Sequence, residues 1–210
     1  MRLVATLNLG NLDYARHTIS CFRAYAHRTA ADFWELTHFP RQANYGRSNH
    51  WMQVDVIKTF AAQDYYRQLL LIDADMLMSR DCPDLFAICR DKWGVAVDLG
   101  RPEVDEAFRR RCARLYGEAP KQGPYFNAGL MIIPLRLARQ IAPTLRGPFE
   151  DGPTAVNQYL NFRLLDCGEL HWLSTDFNWS APQFEEAARS KQIIHFAGDH
   201  KSLIPRYAEW

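Results

Sequence analysis

The sequence predicts a layered α/β domain with a mostly parallel central sheet flanked by helices. Three observations carry that expectation. Strand-like apolar runs alternate with helix-like amphipathic segments along the 210 residues. The run Leu69 to Ile72, in LLLIDADMLM, is apolar throughout, the pattern of a strand buried on both faces. It delivers two acids, Asp73 and Asp75, at its carboxyl end, where open α/β sheets bind ligands. With 48% hydrophobic residues and no repeat, low-complexity stretch or linker, the chain reads as one domain over 1–210.

Taken in order, Leu3 to Asn8 is the first expected strand, broken by Gly10 and Asn11. Asp13 is the expected cap of a helix to about His27, with Ile19, Phe22 and Ala26 at helical spacing. Phe33 to Thr37 reads as a second strand, followed by the turn-rich PRQANYGRSN. A helix from Ser48 or Asn49 to about Gln63 buries Trp51, Val54, Ile57 and Ala61 on one side, and the Asp73 strand follows. Asp81, Pro83 and Asp84 open a short helix to Cys89, and Trp93 to Val97 is the next strand. Val104 to Tyr116 is helical in character, Phe126 to Pro134 is a long apolar strand, and Leu135 to Leu145 and Thr154 to Leu165 are helices. Late strands are expected near His171 to Leu173 and Gln192 to Phe196.

The formal net charge of +1 removes a global field as a reason to expect nucleic acid. Arg109, Arg110 and Arg111 are the one dense basic run and read as a solvated helix face. Five scattered cysteines without a CxxC pair argue against a disulfide framework or a zinc site and fit a reducing, cytoplasmic compartment. The opening MRLVATLNLG is too short an apolar stretch for a signal peptide, and no run reaches the length of a membrane span.

Asp-x-Asp by itself is weak: with fifteen aspartates, roughly one such pair is expected by chance. Its place at a strand end raises it. In an extended stretch both carboxylates point the same way, and hard oxygen ligands suit Mg²⁺ or Mn²⁺. No P-loop or GxGxxG is present, so a nucleotide would be held through a cation bridging its phosphates. The alternative is a solvated acidic turn.

Five stretches in order then resemble one family. ATLNLGNLDYAR is similar to its first strand and following Tyr, YYRQLLLIDADMLM to its Asp-x-Asp strand, and YFNAGLMIIPL to its Phe-Asn-x-Gly strand. TDFNW resembles its late Tyr-Asn-Trp-like segment, and IIHFAGDHKSLIP its terminal His-Phe-x-Gly-x-x-Lys-Pro loop. The sequence thereby resembles glycosyltransferase family 8, the GT-A fold group of glycogenin and bacterial galactosyl- and glucosyltransferases, over nearly the whole chain. The resemblance implies Asp73, Asp75 and His195 as metal ligands, with Mn²⁺ favoured because one of them is an imidazole, and Mg²⁺ as the alternative. It implies Leu7, Asn11 and Tyr14 at the nucleoside, Lys58, Gly198 and Lys201 near the phosphates, and Ala74 between the two acids. Asn127, Ala128 and Gly129 would face the donor sugar.

The chain departs from the family at VNQYLN, where Val156 replaces an acid and Asn157 a glutamine of Asp-Gln-x-x-Leu-Asn. Asn157 and Gln158 would then face the sugar, with Asp151 upstream as a substitute carboxylate. Ser202 stands where the terminal loop has Pro. The function implied is metal-dependent transfer of a hexose, glucose or galactose, from a UDP-sugar to an acceptor hydroxyl with retention. The acceptor is a saccharide, protein or small molecule. The alternatives are a catalytically silent binding module of the same fold, and a nucleotidyltransferase, which normally needs a Gly-rich loop that LNLGNLDY lacks.

Overall fold

The computed structural model describes residues 1–10, 12–38, 49–98, 102–120, 123–146, 155–180, 188 and 190–208. Its main sheet has six strands in the order β2-β1-β3-β6-β5-β7. These are β1 (Arg2–Leu7), β2 (Asp32–Leu36), β3 (Gln68–Ile72), β5 (Trp93–Val97), β6 (Phe126–Pro134) and β7 (Leu170–Leu173). Parallel pairs join β1 to β2, β1 to β3 and β5 to β7, while β6 runs antiparallel to both β3 and β5. The expected mostly parallel sheet is therefore present, with one reversed strand at its centre.

The apolar runs are continuous because both faces are covered. Leu69 and Leu71 of β3 and Met131 and Ile133 of β6 point to one side, where α2 (Met52–Ala62), α4 (Pro102–Tyr116), α5 (Leu135–Ile141) and α6 (Ala155–Leu164) pack. Leu70, Ile72, Leu130 and Ile132 point to the other, onto α1 (Ala15–Arg28) and α3 (Leu85–Cys89). α1 presents Ala15, Ile19, Phe22 and Ala26 at helical spacing to that layer. A second sheet, in the order β4-β9-β8, is made of β4 (Met76–Met78), β8 (Trp179–Ser180) and β9 (Ile193–His195). Leu77, Ile194, Phe196 and Ile204 form its own small core beside the end of the main sheet.

Several expectations need correction. Asp13 does not cap α1; Tyr14 stands at that position without a side-chain cap bond. Asp84 does cap α3, its Oδ1 accepting from the Ala87 amide at 3.2 Å. α2 follows a 3₁₀ turn, Asn49–Trp51, and is buried around most of its circumference, Met52, Gln53, Asp55 and Val56 included. α5 stops at Ile141 and passes into a 3₁₀ turn containing Pro143, which has no amide hydrogen to continue the helix. β4 and β8 have three and two residues, too short to show a period of their own. Of the arginine run, Arg110 pairs with Glu106 on the surface, but Arg109 donates to the Pro120 and Gly123 carbonyls and Arg111 lines a cavity.

Candidate active site

Asp73 and Asp75 are not brought together by strand alternation. β3 ends at Ile72, and Asp73–Ala74–Asp75 is a turn closed by the Met76 amide on the Asp73 carbonyl at 3.2 Å. Three of its main-chain groups are tied to three different elements. The Asp73 amide donates to the Gly129 carbonyl of β6 (2.8 Å), and the Thr18 hydroxyl of α1 donates to the Ala74 carbonyl (2.7 Å). The Phe196 amide, just past β9, donates to the Asp75 carbonyl (2.9 Å). A turn pinned from three sides holds its carboxylates in place before any ligand arrives.

β9 pairs antiparallel with β4, with His195 opposite Met76, and this register carries the imidazole to the acids. One ligand atom from each of Asp73, Asp75 and His195 lies within 4.8 Å of the others. The His195 ring is buried, and its Nδ1 lies 3.1 Å from Asn178 Oδ1. That oxygen can only accept, so Nδ1 carries the hydrogen and a neutral ring turns its Nε2 lone pair toward the acids. Nε2 stands 3.4 Å from Asp75 Oδ1, a buried oxygen without a hydrogen-bond partner among the described residues. Two electron-pair donors facing each other require a proton or a cation between them.

The electrostatics follow. Burial pushes the Asp73 carboxyl above its ordinary range, and the Asp75 charge adds to the rise. Burial acts on Asp75 in the same direction, but His195 and Lys201 outweigh it and hold its pKa low. Burial pulls the His195 imidazole down, and the neighbouring Asp75 carboxylate more than reverses this, so its pKa is raised. Lys201 Nζ sits 3.1 Å from Asp75 Oδ2 and 5.8 Å from the centre of the Tyr14 ring. Two carboxylate donors, an imidazole nitrogen and an unsatisfied buried oxygen fit a divalent cation of the Mn²⁺ or Mg²⁺ kind.

The cluster lies between two lobes of one cleft, both bordered by His50, Gln53, Asp73, Asp75 and Lys201. The narrow lobe, about 240 Å³, is lined by Leu7, Leu9, Leu12, Tyr14 and Ala74. The wide lobe, about 720 Å³, is bounded by Asp98, Phe108, Arg111, Tyr125, Asn127 and Val156, among others. Asn157, Gln158, His195 and Gly198 also border the wide lobe. Ala128 and Gly129, expected to face the donor sugar, line neither lobe. A Cβ on Gly129 would stand 2.8 Å from Asp73 Oδ2 and from Asn127 Oδ1, so only glycine lets β6 pass this close to the acids.

The β5–β6 ladder slips there: Val95 pairs with Met131 but Ala96 with Asn127, leaving 128–130 without counterparts on β5. Side chains meet the released backbone groups. Asn127 Oδ1 accepts from the Gly129 amide (2.7 Å), and Asn157 Oδ1 from Ala128 (3.1 Å). Asn161 accepts from the Phe126 amide (2.8 Å) and donates to the Phe126 carbonyl (2.7 Å). Asn127 and Asn157 thus border the cleft while holding the bulge in shape.

Lys58 lines neither lobe; it lies near Asp55 and Arg146. Asn11 and Asp151 fall outside the described residues. Sequence reasoning missed Gln53, whose Nε2 donates to Asp73 Oδ1 at 2.7 Å, and Asn178 behind His195. It also missed His50, Asp98, Arg111 and Tyr125. A glutamine between Trp51 and Ile57 on a buried helix was the one available signal, since a buried amide needs a partner.

No family model matches the sequence, and no curated protein does. Solved structures do. A glycosyltransferase involved in the glycosylation of the major capsid of PBCV-1 superposes with a TM-score of 0.67 at 11% identity, over 100% of this chain and 99% of its own. The galactosyltransferase LgtC, in complex with donor and acceptor sugar analogs, gives 0.58 at 15%, over 100% and 95%. An active-site mutant of LgtC gives 0.58 at 17%, over the same shares. The chain therefore has the GT-A glycosyltransferase fold across its whole length, in agreement with the family 8 resemblance at the level of fold.

Proposed function

We propose that this protein is a metal-dependent retaining glycosyltransferase that moves a hexose, glucose or galactose, from a UDP-sugar to an acceptor hydroxyl. The observation that carries the reading is the convergence of Asp73, Asp75 and His195 between a narrow, Tyr14-lined lobe and a wider one about three times its volume. The narrow lobe suits a nucleobase and ribose. The wide one has room for a sugar and part of an acceptor. Asp73, Asp75 and His195 would hold Mn²⁺ or Mg²⁺, which when bound neutralises the charge that develops on a departing diphosphate. Lys201, whose Nζ lies beside Asp75, would add a point charge to the same group. In the reaction, the bond between the anomeric carbon and the phosphate oxygen breaks and a bond to the acceptor oxygen forms on the same face. The acceptor's proton passes to the leaving phosphate, so no protein nucleophile is needed. Asn127, Asn157 and Gln158 orient the sugar from the wall of the wide lobe.

Incubation with UDP-glucose or UDP-galactose and Mn²⁺, with release of UDP and the anomer of any product followed by NMR, tests this. UDP release that requires the ion supports the reading, and an inverted product removes the retaining assignment. A second reading, a silent sugar-nucleotide-binding module, has one observation in its favour. Val156 presents an apolar side chain to the wide lobe where the family carries an acid, and Asn157 is engaged by the Ala128 backbone. Binding of UDP without turnover of either donor, hydrolysis included, would select it.

A further inference from the structure

The end of the main sheet opposite the cleft carries a second open groove. β1 and β3 have their carboxyl ends at the cleft, and this groove lies at the amino end of β3, five strand residues or about 16 Å away. It measures about 530 Å³ and is lined by Arg67, Arg90, Arg136 and Arg139 against a single acid, Asp91. Arg136 pairs with Glu169 at 2.5 Å and Arg139 with Asp64. Arg67 and Arg90 have no carboxylate partner among the described residues. With Lys92, which lies near Glu169, the described residues of this face include five cations against three acids.

Arg90 occupies its place against a backbone preference. It follows α3 with φ 50° and ψ −111°, a conformation that favours glycine, and Gln68 Nε2 holds its carbonyl at 2.6 Å. Close to these arginines in the chain stand exposed apolar side chains: Tyr65, two residues before Arg67, is 62% exposed, and Ile88, two residues before Arg90, is 37% exposed. Guanidinium groups interleaved with exposed aromatic and aliphatic side chains are what a surface needs to sit on anionic lipid headgroups.

We propose that this face docks the protein on the anionic surface of a lipid bilayer, without insertion of a helix. Charge complementarity selects the occupant: the unpaired Arg67 and Arg90 meet phosphate headgroups, while Tyr65 and Ile88 enter the headgroup layer. The cleft, at the far end of the sheet, is then held facing the aqueous phase. The full chain is co-sedimented with vesicles of phosphatidylcholine alone and with vesicles one third phosphatidylglycerol, at low salt and in 1 M salt, where the screening length is about 3 Å. Binding is expected only to the anionic vesicles and only at low salt. The double variant Arg67→Glu, Arg90→Glu, both at exposed positions, lowers that binding by more than about 25-fold, about fivefold for each charge lost, and leaves UDP release in solution unchanged. Equal binding to both vesicle types, binding that survives high salt, or a folded double variant that binds like the parent each overturns the proposal. The salt and lipid arms decide it even if the double variant fails to fold.

Discussion

The two sides of the wide lobe are built by different means. On the side of the candidate metal site, Asp73, Asp75 and His195 stand on a turn and a strand whose main-chain groups are bonded to α1, β6 and the segment after β9, and their side chains are clustered and largely buried. On the far side, Phe108, Arg111, Val156 and Gln158 project from α4 and α6, each positioned by its place on a helix surface. The first side is determined by backbone geometry, where one misplaced atom disturbs all three side chains. The second is a matter of side-chain choice, and it is where the chain departs from the family 8 pattern at Val156. Donor chemistry is accordingly expected to be rigid and acceptor handling variable.

That contrast can be broken from the metal side with the largest effect. Asn178→Ala removes the acceptor that fixes the His195 ring, and Mn²⁺ affinity is expected to fall about 10- to 100-fold, with most of it restored in Asn178→Asp. Titration calorimetry checks this, and an unchanged affinity would mean that the ring is oriented by packing alone. Acidification acts on the same side. Burial and the Asp75 charge raise Asp73; for His195 the Asp75 carboxylate outweighs burial and raises it also. A group with a raised pKa in the metal-free protein keeps its proton to higher pH, so the ion must displace protons to bind. Affinity is expected to rise with pH through that range, by about tenfold per unit for each proton displaced, and to level off above it. A flat profile in binding titrations would exclude these groups as ligands.

Smaller effects test the far side. Asn161→Ala leaves the Phe126 amide and carbonyl, both in a fully buried region, without their partner, at about 1–3 kcal/mol for each group. Thermal unfolding should occur at lower temperature, while Mn²⁺ affinity of the folded protein stays as in the parent. Val156→Ala is expected to change the KM for acceptor by about tenfold or less and to leave Mn²⁺ affinity unaltered. A Val156→Ala variant that loses the ion would erase the distinction between the two sides.

The parts legible in the sequence were those written in contiguous residues. LLLI carries the doubly buried strand, and DAD and IIH place acids and imidazole at strand ends. What lay hidden was carried by distance or by backbone shape. Gln53 meets Asp73 across 20 residues, and Asn178 meets His195 across 17, with no local pattern to announce either pair. The turn at Ala74 was hidden because Asp-x-Asp satisfies a strand period as well as a turn. Arg111 was masked by Arg109 and Arg110, since a run of like charges says nothing about which member faces inward. β4 and β8 are shorter than one period of the signal that detects strands. Lys58 shows the opposite failure: a motif position supplied by resemblance that the helix turns away from the cleft.

The central claim, that Asp73, Asp75 and His195 form a cation site for a nucleoside diphosphate, is tested most directly by electron paramagnetic resonance of Mn²⁺. Titrating the protein into free Mn²⁺ should quench the sharp aquo-ion signal at one site per chain, and UDP should tighten that binding while ADP, GDP and CMP do not. In Asp75→Ala the loss of affinity should exceed the effect expected for Asn178→Ala, more than about 100-fold, in a protein that still folds. A signal that persists at excess wild-type protein, or that Asp75→Ala quenches equally well, would contradict the account.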